Sequence, residues 1–357
     1  MLVTLAMSLA LVQGGSFRTD TTVAVQPGTR LALHAMGGEV VVRTWDRGQV
    51  RIRASHSANT SVRIRDNGAV LRLDAEGRMG MPGRTDFDLT VPAWMATDFD
   101  GMNFSVEADG VASVKASTLN GDLVARRAGE VNFATMNGDI RVEDARGRLS
   151  LSTVSGRIEV QGARGDVSAQ AVSGHIGLYR IESARVEAST VSGQVIYSGS
   201  VRDDGSYALG THSGAVTFAL PAGANATVHT STMTGGFDAS FPLPSLDQRS
   251  RGRTLIRFGS GSAAVDLESF SGDVRLVRPH EVPPLPARRS REPGRSGLER
   301  LDGAGVATFG LDIAGEVLRG LDLGRLSELS GLAALSAIGE RALPVPPIPP
   351  ATRREWP

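Results

Sequence analysis

Apolar and polar residues alternate along most of this chain in short runs that end at a glycine-containing turn. From about residue 111 the alternation becomes a repeat. Its copies read STLNGDL from Ser117, ATMNGDI from Ala134, STVSGRI from Ser152, QAVSGHI from Gln170, STVSGQV from Ser189, GTHSGAV from Gly210, STMTGGF from Ser231 and ESFSGDV from Glu268. The turn glycines are Gly121, Gly138, Gly156, Gly174, Gly193, Gly214, Gly235 and Gly272, and the first seven follow one another at 17, 18, 18, 19, 21 and 21 residues. A second turn falls midway, at Gly110, Gly129, Gly147 and Gly165, then at Ser183-Ala184 and Asp204-Gly205. Alternation with period two marks strands with one buried face. Self-similarity at a fixed period marks a chain wound into stacked coils. The pattern predicts an all-β, single-domain parallel β-solenoid with coils of about 18–21 residues, each made of two short strands and two turns.

The columns formed by aligning the copies agree. Two residues after the turn stand Leu123, Ile140, Ile158, Ile176, Val195, Val216, Phe237 and Val274; on the other strand stand Val131, Leu149, Val167, Val186, Tyr207 and Val228. Equivalent residues of stacked coils lie about 4.8 Å apart, so these columns become apolar ladders, and their burial is the main stabilising term at roughly 25 cal/mol per Å². Apolar residues do not recur every six positions (Ile140 plus six is Arg146), so a right-handed or flattened solenoid is expected rather than a hexapeptide helix. One conflict of parity stands out. The threonines Thr118, Thr135, Thr153, Thr190, Thr211 and Thr232 share the parity of the buried residues, yet the next column, Leu119, Met136, Val154, Val172, Val191, His212, Met233 and Phe270, is also apolar. A strand cannot bury both parities on one side. A bend or bulge before the turn would turn both inward, and this is the expectation; the alternative is an exposed aliphatic ladder, which would be a binding surface.

Outside the repeat the pattern is less regular. Residues 17–110 carry β alternation (VVVRTW at 40–45, VRIRAS at 50–55, VRIRDNG at 62–68, VLRLDA at 70–75, FDLTVP at 87–92) with Asn67-Gly68 as a hairpin turn; they read as the opening portion of the solenoid or a small sheet capping it. Regular repeats fill 111–278, interrupted by a polar insertion with two prolines at 241–253. Residues 279–300 read as a Pro/Arg-rich linker. Residues 301–343 read as a marginal amphipathic helical tail, with Phe309, Ile313, Val317 and Leu321 and then Leu326, Leu329, Leu332 and Leu335 on one stripe, interrupted by Gly310, Gly315, Gly320, Gly324 and Gly331. Such a helix needs a surface to lie on: the solenoid end, which is preferred, a partner or a membrane face. A Pro-rich end occupies 344–357.

Composition narrows the function classes. The chain of 357 residues has balanced charge, 38 Lys+Arg against 38 Asp+Glu, so net charge gives no argument for nucleic acid. Lys115 is the sole lysine and the arginines are scattered. The absence of cysteine excludes disulfides, thiol chemistry and Cys-type zinc sites. The apolar run at 2–12, with Val12 and Gly14 as small residues before a cleavage point, reads as a signal peptide over 1–14, and no other stretch is long enough to span a bilayer.

Candidate chemistry is sparse. No phosphate loop or dinucleotide fingerprint is present. His34, His56, His175, His212, His229 and His280 show no metal-ligand spacing. Asp122, Asp139 and Asp273 follow turn glycines, but Arg157, His175, Gln194 and Ala215 break the series, so they read as turn residues. No catalytic, cofactor or metal residue is expected; the turn glycines are read as structural.

The repeated S-T-V-S-G-x-[IV] unit resembles that of the bacterial putative-adhesin family, β-strand-repeat domains of unknown function, over roughly 37–278. The resemblance implies a secreted β-solenoid and transfers no catalytic residue. The resulting expectation is a non-catalytic, exported interaction or scaffold module of the cell envelope, periplasmic, cell-surface or secreted, binding an envelope protein or glycan. The alternatives are a carbohydrate-active β-helix enzyme and a scaffold that self-assembles end to end. Function is expected where the chain departs from its repeat: the 241–253 insertion, the N-terminal sheet, the His212 column break and the tail.

Overall fold

A computed structural model describes residues 17–77, 83–244, 246–248 (backbone) and 253–286. The expected signal peptide, the linker beyond 286, the helical tail and the Pro-rich end lie outside these residues. The described chain is a β-solenoid of two facing, mostly parallel sheets. One sheet holds the strands that precede the Gly turns, Ser113–Asn120, Glu130–Asn137, Leu149–Ser155, Val167–Ser173, Arg185–Ser192 and Ser206–Ser213. The other holds those that follow, Leu123–Arg126, Ile140–Ala145, Ile158–Ala163, Ile176–Ile181, Val195–Gly199 and Val216–Ala219. Register keeps like over like: Val131, Leu149, Val167, Val186 and Tyr207 form one continuous column. Alternate residues point between the sheets, where Val131, Phe133, Ile140, Val142, Leu149 and Ile158 are at most 1 % exposed. Where coils lengthen, at 199–205, Tyr197, Tyr207 and Phe218 fill the added width; Tyr197 stacks on Phe218 with ring centres 4.8 Å apart, and the Tyr207 hydroxyl donates to the Ser183 carbonyl (2.9 Å) and accepts from the Arg202 N–H (2.9 Å).

The N-terminal region supplies two further coils. Strands Arg30–Trp45 and Ala96–Asp109 each run unbroken through both sheets, paired with one another along their length. Antiparallel strands then close this end. Thr60–Asp66 and Val70–Gly77 form the hairpin turned by Asn67-Gly68 on the first sheet, and Phe17–Ala24, Gln49–His56 and Thr85–Pro92 extend the second.

Three findings depart from the sequence reading. The last two coils are interchanged in space. Strand Ser206–Ser213 pairs with Ala263–Ser271, and Ala226–Thr232 lies beyond it; likewise Val274–Val277 sits between Val216–Ala219 and Phe237–Ala239. The chain passes over one coil position, makes the outermost coil, caps it with the antiparallel strands Arg253–Phe258 and Leu246–Gln248, and returns to fill the gap.

The second departure is the parity conflict. No bend turns both columns inward: Thr118, Thr135, Thr153, Thr190 and Thr211 are buried, and the Leu119 column points outward. Burying threonine is tolerable because each hydroxyl has an acceptor next door. Thr153 Oγ1 donates to the carbonyl of Gly138 in the preceding coil (3.3 Å), Thr190 to Gly174 (3.0 Å) and Thr211 to Gly193 (3.0 Å).

The third concerns why the turn residue is glycine. Only Gly121, Gly193, Gly214 and Gly272 of the eight have positive φ. At Gly138, Gly156, Gly174 and Gly235 the reason is the stacking itself, since a Cβ on Gly156 would stand 1.9 Å from the Gly138 carbonyl oxygen and one on Gly174 1.8 Å from that of Gly156.

Candidate functional site

The polar residues of the repeat are largely committed to holding coils together. The carboxylate of Asp122 accepts the backbone N–H of Asp139 (2.8 Å), and that of Asp139 accepts the N–H of Arg157 (2.9 Å). Asp273 accepts the N–H of Gly236 (3.1 Å), and this bond together with the Arg275 guanidinium holds its carboxyl below the usual range. His175 continues the same row, its Nδ1 accepting the N–H of Gln194 (3.0 Å). Asn103, Asn120 and Asn137 form a short amide ladder, with Nδ2 of each donating to Oδ1 of the one before (2.7 and 3.2 Å). The aspartates of the turn row therefore bridge coils rather than facing a ligand.

The other histidines are dispersed. His34 stands beside Asp100 in register. His56 meets Thr19 and the Ser57 carbonyl. His229 stands beside Asp266, and His280 lies 3.9 Å from Glu281. Among the described residues no group of three or more His, Asp or Glu is placed to hold a metal. The recess around Thr19, Asp20, Glu39, Arg53, Asp86 and Asp88 gathers four carboxylates, and three of them are paired: Asp20 with Arg51 (2.7 Å), Asp86 with Arg84 (3.0 Å), and Asp88 with Arg43 (3.0 Å) and Arg53 (2.6 Å). The hydrogen bond from Arg51 is the main cause that holds the Asp20 carboxyl below its ordinary value.

The outward column of the first sheet is different in kind, being mostly apolar. Register places its members side by side in the order Met36, Met102, Leu119, Met136, Val154, Val172, Val191, His212, Phe270 and Met233. Ten strands at about 4.8 Å make a ladder roughly 43 Å long. His212, the apparent break, continues it: its ring stacks on Phe270 with centres 4.5 Å apart and planes at 12°. The next outward column, Ser117, Ala134, Ser152, Gln170, Ser189 and Gly210, is short-chained apart from Gln170. Ala134 and Val191, with Met136, Val154 and Val172 packed against them, form an apolar cluster separate from the main core. The far end is open, Phe270 being 45 % and Met233 73 % exposed.

Met36 and Met102 were absent from the column as read from the repeat. Their segments, HAMGGEV from His34 and DGMNFSV from Asp100, are degenerate copies of the heptad. Ala35 and Gly101 stand where later coils have Thr, and Phe104 stands in the turn-glycine position. The methionine before the Gly/Asn position was the available signal.

Three crystal structures are similar to this chain at low level. A putative cell adhesion protein from Clostridium sporogenes is 12 % identical, with 73 % of this chain and 99 % of that one covered and a TM-score of 0.21. A putative adhesin from Bacteroides fragilis is 10 % identical, covering 72 % and 96 %, with a TM-score of 0.36. One from Parabacteroides distasonis is 10 % identical with the same coverage and a TM-score of 0.34. Likenesses at these scores carry no argument about function. No curated protein matches the chain. The model of the Toastrack DUF4097 family, however, matches residues 29–277, from the first coil to the last strand of the solenoid, and the chain belongs to that family.

Proposed function

We propose that this chain is a non-catalytic interaction module, exported by residues 1–14 acting as a signal peptide, and that it binds a protein or glycan of the bacterial cell envelope through the outward ladder. One observation carries the reading: an outward column of mostly apolar side chains continuous over ten strands of one sheet. Contiguous apolar surface of this extent marks a binding face on soluble proteins. A parallel sheet suits the task, because a mostly apolar side chain recurs about every 4.8 Å and offers an extended partner a continuous track.

The test is co-sedimentation of the full chain with bacterial envelope fractions, comparing wild type with Phe270→Ser/Met233→Ser. Binding at least tenfold weaker in the variant is expected, with Arg141→Ala on the opposite sheet unchanged. Equal binding by all three proteins, or turnover of envelope polysaccharide by the pure protein, would overturn the proposal. Export is tested separately: N-terminal sequencing of the protein from a host periplasm or medium should begin at Gly15.

A further inference from the structure

We propose that the outer face of the second sheet carries a groove for proline-rich peptides in the polyproline II conformation, built around Gly177 and Tyr179. In the free chain its own residues 282–286 hold that groove, and a proline-rich segment of a partner protein displaces them. The groove lies on the sheet opposite the ladder, so the inference does not rest on the ladder as a binding face.

The composition of that face is the first observation. Its outward columns carry paired charges on one side of the groove, Arg126 with Glu143 (3.2 Å) and Arg141 with Glu159 (3.4 Å). Over the next three strands they change to Gly177 and Tyr179, Ile196 and Ser198, and Thr217 and Ala219. Ile196 and Thr217 point away from the core yet are 1 % and 4 % exposed, whereas Arg141 is exposed.

The path of the chain is the second. Val277 lies in register with Ala219. The chain then turns through Pro279–Glu281 and crosses the strands as a strap, until Leu285 rests on Gly177 beside Tyr179. There the Pro286 carbonyl accepts a hydrogen bond from Arg157 Nη2 (2.5 Å). A Cβ on Gly177 would stand 2.7 Å from Leu285 Cδ1, so the missing side chain is the socket for Leu285.

The form of the strap is the third. Its sequence at 282–286 is V-P-P-L-P, and Val282 is extended (φ −64°, ψ 121°). Val282 and Leu285 are half-buried, while Pro283 and Pro284 between them are exposed. That is the three-residue period of a polyproline II helix laid on a surface. Such a backbone bonds none of its own carbonyls, so it matches a groove that offers hydrogen-bond donors and an aromatic wall. Arg157 and Tyr179 supply these.

The strap fits incompletely, and this opens the groove to a partner. Arg157 Nε is buried with no partner, and the Tyr179 hydroxyl lies beside the Leu285 backbone without a well-formed hydrogen bond. Buried donors left unpaired are costly, so a segment whose carbonyls reach both gains bonds that the strap lacks. The strap of a second copy brings the same mismatch and gains nothing by exchange. Being tethered, the chain's own strap competes at a high effective concentration, which masks the groove in the wild type.

The probe is a fluorescein-labelled peptide with the sequence of residues 279–286, PHEVPPLP, read by anisotropy against the full chain. It should bind Val282→Ser/Leu285→Ser, whose strap has lost both anchors, at least tenfold more tightly than wild type. Adding Gly177→Val fills the socket and should abolish that binding, with the strand circular dichroism intact. No binding to the emptied groove, or binding indifferent to Gly177→Val, would overturn the inference. A second measurement does without these variants. The chain has no cysteine, so the single thiol of Leu285→Cys reports on the socket. It should react with a thiol reagent at least fivefold faster when saturating unlabelled peptide displaces the strap, and a rate indifferent to peptide would overturn the inference. Self-association of the wild type that the strap variant lacks would also overturn it, by assigning the groove to a second copy of the chain. Phe270→Ser/Met233→Ser should leave peptide binding unchanged, so failure of the groove leaves the ladder reading standing, and failure of the ladder leaves the groove.

Discussion

Replacing Gly156 by alanine tests whether the turn glycine is required by stacking rather than by backbone conformation. Its φ is not in the left-handed region, so alanine is free to adopt the backbone and should even gain about 0.4–1 kcal/mol by restricting the unfolded chain. Against that, the added Cβ would stand 1.9 Å from the Gly138 oxygen and 2.7 Å from its carbon. Reaching van der Waals contact requires the two coils to separate by about 1 Å or more. Four hydrogen bonds straddle this point: Thr153 Oγ1 to the Gly138 carbonyl (3.3 Å), Gly138 N–H to Ser155 (3.2 Å), Ile140 N–H to Arg157 (2.8 Å) and Arg157 N–H to Asp139 (2.9 Å). The two longest do not survive such a shift. At about 0.5–1.5 kcal/mol for an ordinary bond and about 1–3 for a buried group left unsatisfied, the net loss is about 2–4 kcal/mol. Gly210 is the control: it also lies in a repeat copy, but a Cβ there meets nothing within 4 Å, and Gly210→Ala should be neutral or stabilising by up to about 1 kcal/mol. Urea denaturation gives the difference, and hydrogen exchange locates it, with the Gly138 amide losing protection while that of Val216 does not. Gly156→Ala within about 0.5 kcal/mol of wild type, a change typical of neutral surface sites, would refute the stacking argument.

The remaining predictions concern the polar groups of the interior. Thr153→Val should cost about 1–3 kcal/mol by orphaning the Gly138 carbonyl, whereas Ala171→Thr, which supplies the hydroxyl that the neighbouring coils carry at this position, should stabilise by about 1 kcal/mol; denaturation midpoints give both signs. Tyr207→Phe should destabilise by about 1–3 kcal/mol, because the Arg202 N–H and the Ser183 carbonyl both lose a partner. All three tyrosines, Tyr179, Tyr197 and Tyr207, have phenols raised above the ordinary value, with burial the main cause. A raised folded value means the neutral form is favoured, so this stability is present below the unfolded value of about 10 and is lost as pH rises above it; in an alkaline titration tyrosinate absorbance should lag and then appear together with loss of strand circular dichroism.

Much of the architecture was legible because a solenoid repeats its constraints. Glycine at the turn, an apolar residue two places later and alternation on both strands recur in every coil, so eight imperfect copies outweigh any one irregularity. The interchange of the last two coils was not legible, for a physical reason: Val228 and Val265, or Phe237 and Val274, fit the same columns equally well, and parallel register alone does not say which lies next to Tyr207. The first two coils were hidden because Arg30–Trp45 and Ala96–Asp109 do not break at the turn and lack the usual Thr, having Ala35 and Gly101 in its place, while the second also has Phe104 for the turn glycine. The ladder was visible as a parity conflict. It resolved against an inward bend because hydrogen bonding of the threonine hydroxyl to the previous turn's carbonyl makes the polar column, not the aliphatic one, the buried partner.

The ends of the solenoid bear on where an interaction can occur. A stack of identical parallel coils would offer an unpaired edge at each end, ready to template another copy. This chain closes those edges. At one end both sheets finish in antiparallel strands carrying charge: Thr60–Asp66, with Arg63 and Arg65 paired to Glu76 and Asp74, and Phe17–Ala24, with Asp20 paired to Arg51. At the other, the outermost strands Leu246–Gln248 and Phe237–Ala239 have three residues each, too short to register a long partner strand. Paired charges and short edges are the devices by which sheets avoid end-to-end growth, and they weaken the reading of this chain as a self-assembling scaffold. A long flank with a uniform apolar track and two blunted ends is suited to partners that lie along the coils rather than to copies that extend them.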